Sequence, residues 1–200
     1  MTTDGRVVRG RTTRDGLVAV ARTLFGEHGY DATSIGAVLA AAGVARGALY
    51  HHFPSKEALF DAVLEREMAR IAEVVGAAAR TAGDPVASMR AGCGAWLEVV
   101  LDPEVQRIVL RDPPAVLGWA RWRELDERYL VRGLQASVRM LAARGRVDPD
   151  QADVLAHMVL GAASEAALLV AGAADPEAAM ATGRAAIDTL LTRLFEPEPR

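Results

Sequence analysis

The chain has one cysteine, Cys93, in 200 residues. That excludes an internal disulfide framework and a zinc site built on paired thiolates. Alternating Val/Ile/Thr runs bounded by hairpin turns are missing, so no sheet is expected. The apolar runs are short. The stretch from Ala166 to Ala171 is closed by Glu165 and Gly172, well under the ~18 uncharged residues of a membrane span. The opening MTTDGRVVRGRTTRD is polar and basic, without the apolar centre of a secretory signal. The expectation is a soluble, cytoplasmic chain with no membrane partner. Catalytic signatures are missing too: no G-x-S-x-G, no Walker loop, no H-E-x-x-H and no Cys/His cluster. Gly92-Cys93-Gly94 lacks the third glycine and preceding strand of a dinucleotide fingerprint. No metal site and no cofactor are expected, and the chain is not read as an enzyme.

Helical signals take the place of strands. Leu17, Ala21, Leu24 and Phe25 share a face, with Thr12 or Thr13 as a cap and Gly29 as a stop. A short helix follows from Thr33 or Ser34 and buries Ile35, Val38 and Leu39. Another runs from about Ala45 to Phe53. A long one opens at Ser55 and carries Leu59, Phe60, Val63, Leu64, Met68, Ile71 and Val75 at spacings of three or four. After that, Asp-Pro recurs at 84–85, 102–103, 112–113, 148–149 and 175–176. Aspartate can cap, and proline at the first helical position loses no hydrogen bond there. Each pair marks a helix start, giving helices from about 85, 103, 114, 149 and 176, although the double proline at 112–114 is also consistent with a kinked connection. Asp148 with Gln151 has the spacing of a capping box. The total is about nine helices in an all-α fold. An N-terminal three-helix unit (residues 1–55, including a basic arm) precedes a larger helical region (56–200).

The formal charge is −3, yet it is unevenly spread. Arg6, Arg9, Arg11, Arg14, Arg22, Arg46 and Lys56 outnumber the acids of the first 60 residues, and the remainder is acidic. A basic patch on an acidic body suggests a localised polyanion contact. Residues 42–57, AGVARGALYHHFPSKE, concentrate it: two of the four histidines and the only lysine lie here.

Two short helices joined by a glycine turn have the helix-turn-helix pattern. Gly43 frees the turn and Val44 packs beneath it. Leu49 and Phe53 fill the inward side of the third helix, which leaves Arg46, Gly47, Tyr50 and His51 outward. Arginine can read guanine edges, and tyrosine can reach a phosphate or a thymine methyl. Gly47 allows close approach. Lys56 at a helix N-terminus, and Thr33 or Ser34 at another, suit phosphates. His51 and His52 are adjacent and point ~100° apart on a helix, so they do not chelate one metal.

Phe25, Gly29, Tyr30, Thr33 and Ser34 spell F-x-x-x-G-Y-x-x-T-S. They precede the 42–44 turn and G-A-L-Y-H-H-F-P-S-K-E. Residues 11–65 thereby resemble the N-terminal DNA-binding domain of the TetR/AcrR family of bacterial transcriptional regulators. The resemblance implies groove contacts by Arg46, Gly47, Tyr50 and His51, and phosphate contacts by Thr33, Ser34 and Lys56. It also implies a double-stranded DNA operator, a small-molecule effector, a homodimer and ligand-released repression. Two positions depart from the family pattern. Ala45 stands where Ser or Thr usually caps the reading helix, and Gly36 and Ala37 stand where charge is usual. Affinity would then lean on Arg46, Lys56 and the arginine arm, which reads equally well as a soluble tail.

For the effector pocket, Met89, Cys93, Trp96, Trp119, Trp122 and Tyr129 are the candidates, since rings between helices line cavities as readily as they fill cores. Arg121, Arg123, Glu124, Asp126, Glu127 and Arg128 read as a solvated, self-paired face. For a dimer interface, Leu155, Val159, Ala162, Ala166, Leu169, Leu190, Leu191 and Leu194 combine small residues with apolar area. Two alternatives stand beside the regulator: an all-helical enzyme, for which His157 and Glu165 share a face, and a helical scaffold with a vestigial DNA-reading surface.

Overall fold

The computed structural model describes residues 4–195, and side chains from residue 13 onward. No strand occurs among the described residues. The helices are α1 (Asp4–His28), α2 (Ile35–Ala42), α3 (Arg46–His52), α4 (Lys56–Arg80), α5 (Pro85–Val99), α6 (Pro103–Val105), α7 (Pro113–Val116), α8 (Trp119–Asp126), α9 (Arg132–Ala143), α10 (Ala152–Ala171) and α11 (Pro176–Phe195). α6 runs on through a wide π segment, Gln106–Arg111, and a second one, Glu127–Val131, joins α8 to α9. Joined through these segments, and with the single turn of α7 set aside, the described residues make nine helices.

α1 starts at Asp4, so Thr12 and Thr13 lie within a helix rather than at its cap. The side chains of Arg6, Arg9 and Arg11 fall outside the described residues. Three Asp-Pro pairs cap as expected: Asp84 accepts from Val86 and Ala87, Asp148 from Asp150, and Asp175 from Ala178. Asp112 does not cap. Its helix is one turn long, Pro113–Val116, and Gly118 follows at φ 80°, so of the two readings of this pair the kinked connection is the one found. Gly118, at a positive φ that glycine takes at little cost, turns the chain just after it.

Two compact units divide the chain. The first comprises residues up to Glu67 together with 104–122, and so extends past residue 55. Its core is Leu17, Val18, Ala21, Phe25, Val38, Leu49, Phe53, Leu59, Phe60, Val63 and Leu64. Residues 104–122 clasp α1. Arg107 donates to the carbonyls of Gly26 and Glu27, both at 2.6 Å, in the last turn of α1. A cation there meets the negative end of the helix dipole. Glu104 pairs with Arg22, and Arg121 reaches Asp61 at 2.8 Å.

The second unit comprises 68–103 and residues from 123 on. α5, α9, α10 and α11 pack around Met89, Trp96, Leu97, Val138, Val159, Ala163, Ile187 and Leu191. By length and composition the stretch Pro149–Ala171, which holds an 18-residue window of mean hydropathy 1.8, is apolar enough to cross a membrane, contrary to the reading from short runs. A single acid, Glu165, interrupts the run from Val154 to Ala171, so the average over those residues stays high. Within the unit, one face of this helix is core, through Ala156, Val159, Ala163 and Ala167, while Val154, Met158, Leu168 and Leu169 are exposed.

Candidate nucleic-acid interface and effector cavity

The reading head is built from its turns. The Ser34 hydroxyl accepts the Ala37 N–H at 3.1 Å and caps α2. Gly43 adopts φ 64° and closes α2 by bonding back to Ala40 and Leu39, a left-handed geometry that costs glycine little. Ala45 has the extended conformation of a cap but no side chain to accept with. α3 is then held by Leu49 and Phe53, both buried. Arg46, Gly47, Tyr50 and His51 are exposed together, Tyr50 at 42%. The Arg46 guanidinium lies 5.5 Å from the Tyr50 ring centre. A side chain at Gly47 would meet nothing within 4 Å. His52 is half-buried, its ring against His51.

Lys56 is placed by an aromatic cluster. Phe25, Tyr30 and Phe60 pack with ring centres 5.2–5.8 Å apart, and the Lys56 ammonium rests 4.0 Å above Tyr30. Burial, then the hydrogen bond and charge of Glu57, raise the Tyr30 hydroxyl above its usual range. The Glu57 carboxyl is held below its usual range, first by its own backbone N–H, then by Ser55 and Tyr30. Lys56 is thus part of an ordered patch.

Thr33 is elsewhere than expected. Its side chain is 2% exposed, and its hydroxyl serves the carbonyls of Gly29 at 2.8 Å and Leu24 at 3.0 Å. A hydroxyl occupied beneath α1 is not available to a phosphate; it locks the turn before α2 instead.

In the second unit, α4, α5, the Glu127–Val131 segment, α9 and α10 surround a cavity of about 110 Å³. Met89, Cys93, Trp96 and Tyr129 line it. Trp119 and Trp122 do not: both belong to the first unit. Trp119 is 65% exposed and packs edge-on against Trp122 at 4.9 Å. Trp122 donates to the Val109 carbonyl at 3.1 Å. Their shared helical face is satisfied locally. The lining not foreseen comprises small residues, among them Gly76, Gly92 and Ala163, with Ser88 and Ser137. Small side chains leave space without announcing it in a sequence. Gly92 admits the close approach of α5 to α4, since a Cβ there would meet Val75 at 3.4 Å.

Two further expectations are corrected. Val159 and Leu191 are fully buried within their own unit, so they are core and not exposed interface. Leu169 at 67% and Leu194 at 37% are exposed, while Leu155, Ala162, Ala166 and Leu190 are half-buried. The 121–128 segment is not uniformly solvated. Asp126 is buried, and Arg121 pairs with Asp61 on α4, while Arg123 and Asp126 pair within the segment. No cluster of three metal-binding side chains occurs among the described residues.

Known proteins align with this arrangement over most of its length. Residues 17–63 match the family described as bacterial regulatory proteins, tetR family, and residues 86–194 match the tetracyclin repressor-like C-terminal domain. A TetR-family transcriptional regulator from Pectobacterium atrosepticum is 40% identical, covers 96% of this chain and 98% of its own, and superposes with a TM-score of 0.79. The transcriptional repressor AcnR of Corynebacterium efficiens is 30% identical over 74% of this chain and 76% of its own length. The TetC protein of transposon Tn10 from Escherichia coli is 27% identical over 76% of each. The RolR protein, solved with resorcinol, shares the fold at a TM-score of 0.68 and 18% identity. With an N-terminal helix-turn-helix head and a helical C-terminal region that both match, the chain belongs to the TetR family of DNA-binding transcriptional regulators.

Proposed function

We propose that the protein is a homodimeric repressor, active in the cytoplasm, which leaves its operator when a small molecule enters the cavity of the second unit. The observation that carries the reading is the exposed row Arg46, Gly47, Tyr50 and His51 on a helix anchored by buried Leu49 and Phe53. In this reading α3 enters the major groove. Arg46 donates to guanine edges, and Tyr50 and His51 meet bases or phosphates beside it. Ser34 and Lys56 sit on the flanking phosphates, the former at a helix N-terminus. Two heads half a palindrome apart require two subunits. The exposed apolar side chains of α10 and α11 (Val154, Met158, Leu168, Leu169 and Leu194) supply a surface for pairing. Repression is supported by the repressor activity in the name of the related AcnR.

Release by a ligand requires unequal affinity for the DNA-competent and DNA-incompetent states. The chain order suits such a coupling, because residues 104–122, which clasp α1, lie in sequence between cavity-lining α5 and the cavity-lining Glu127–Val131 segment. The test begins with selection of DNA fragments by the purified protein, followed by binding of the selected site at several salt concentrations. Affinity should fall steeply with salt through counterion release. Tyr50→Ala and Arg46→Ala should each lose sequence preference with the fold intact. If both variants still prefer the selected site, α3 is not the reading helix.

A further inference from the structure

Resting on the effector reading above, we propose that the cavity of the second unit takes a small, uncharged molecule about one ring in size, with a hydrogen-bond acceptor that pairs with Nε1 of Trp96. Three observations carry this. The first is size: about 110 Å³ is somewhat less than the ~150 Å³ cavity that accommodates benzene. The second is the lining. Val75, Met89, Leu130, Leu134 and Leu160 supply apolar surface, and among the described residues no Asp, Glu, Lys, Arg or His belongs to the lining. Arg80 comes within 3.2 Å of where a Cβ on Gly76 would stand, yet it is exposed at the last turn of α4 and is not part of the lining. An ion entering this space sheds its water without gaining a counter-charge. Burial raises the Cys93 thiol to about 12, so it stays neutral as well.

The third observation is Trp96. The residue is 3% exposed, and its Nε1 is a buried donor with no hydrogen-bond partner among the described residues. Buried donors are nearly always paired, and one left open lowers stability. A ligand acceptor within reach would satisfy it. Because this N–H has no partner among the described residues, Trp96→Phe removes it without breaking a bond seen there and keeps most of the ring. The variant therefore separates recognition from folding.

The experiment is calorimetric titration of the full-length protein, free of DNA, with four probes of similar size: benzonitrile, toluene, benzoate and benzylammonium. Benzonitrile should bind about tenfold tighter than toluene, the effect of one hydrogen bond made rather than left open. Benzoate and benzylammonium should give no saturable heat at concentrations that saturate benzonitrile. In Trp96→Phe, benzonitrile should fall to within about twofold of toluene while toluene binding persists. Benzoate or benzylammonium binding as tightly as benzonitrile would overturn the proposal. So would an unchanged preference in Trp96→Phe, or no binding of any probe. Operator binding is measured on the same preparation. Loss of the ligand class alone leaves specific DNA binding in place, whereas failure of the regulator reading shows as no DNA preference whatever the probes do.

Discussion

The carboxylate of Asp112 accepts the backbone N–H of Tyr30 at 2.8 Å, although 82 residues separate them. The same carboxylate leaves α7 without a side-chain cap, so the acceptor serves the reading head instead of its own helix. Tyr30 lies just after Gly29, at the turn that leads to α2. Asp112→Ala should leave that N–H half-buried and unpaired, at a cost of about 1–3 kcal/mol. Hydrogen exchange at the Tyr30 amide is the direct measurement, since the chain forms two units and one melting temperature does not describe both. Exchange should accelerate in Asp112→Ala and recover largely in Asp112→Asn, which keeps an acceptor. Equal exchange in all three proteins would remove any role for the contact.

Ala45 gives a second expectation. It already has φ −71° and ψ 151°, the geometry of a cap, but offers no acceptor to the first turn of α3. Ala45→Ser should stabilise the reading head by about 0.5–2 kcal/mol, seen as slower exchange of the amides of α3. Operator affinity should hold or rise, because the change orders the helix that carries Arg46 and Tyr50. A serine variant with a less protected α3 would show that the hydroxyl bonds elsewhere.

The head was legible because each feature rests on local chemistry. Ser34 caps α2, Gly43 turns the chain, and Leu49 and Phe53 repeat at helical spacing; each appears in the sequence as it does in space. Thr33 and Ser34 could not be told apart, since both hydroxyls precede α2. Only the packing of α1 over that turn determines which is buried. The cavity was half legible for a related reason. Met89, Cys93, Trp96 and Tyr129 carry bulk or chemistry that draws notice, but Gly92, Gly76 and Ala163 matter by what they leave out. Trp119 and Trp122 misled because a shared helical face says that two rings meet, not which unit they face. Val159 and Leu191 show the same limit: on an apolar helix such as α10, core and partner faces have the same composition.

That last distinction can be measured. Leu169→Glu places a charge on a side chain that is 67% exposed, so the isolated subunit should fold. If α10 pairs with its copy, sedimentation should shift from dimer to monomer, and operator affinity should fall as the two heads separate. Val159→Ala and Leu191→Ala should act differently. Both sites are fully buried, so a cavity forms, at about 1–3 kcal/mol for valine and 2–5 kcal/mol for leucine, with no direct effect on pairing. A Leu169→Glu protein that remains a dimer at low micromolar concentration would move the interface elsewhere.

Asp126 links stability to pH. Burial lifts its carboxyl from the ordinary 3.8 to about 6, against the opposing pull of Arg123 and His157; Arg123 lies 3.5 Å away. Between those two pH values the folded chain holds a proton that the unfolded chain has released. Stability therefore falls as pH rises from about 4 to 6, and the deficit persists above that. Asparagine mimics the protonated acid. Asp126→Asn should be more stable than the parent at pH 8, by up to about 3 kcal/mol. The gain should shrink as pH falls through 6 and vanish near 4. Urea unfolding of parent and variant at pH 4, 6 and 8 checks the sign. A variant less stable than the parent at pH 8 would mean that attraction to Arg123 and His157 outweighs the loss of hydration, and that the carboxylate supports the joint between α8 and α9.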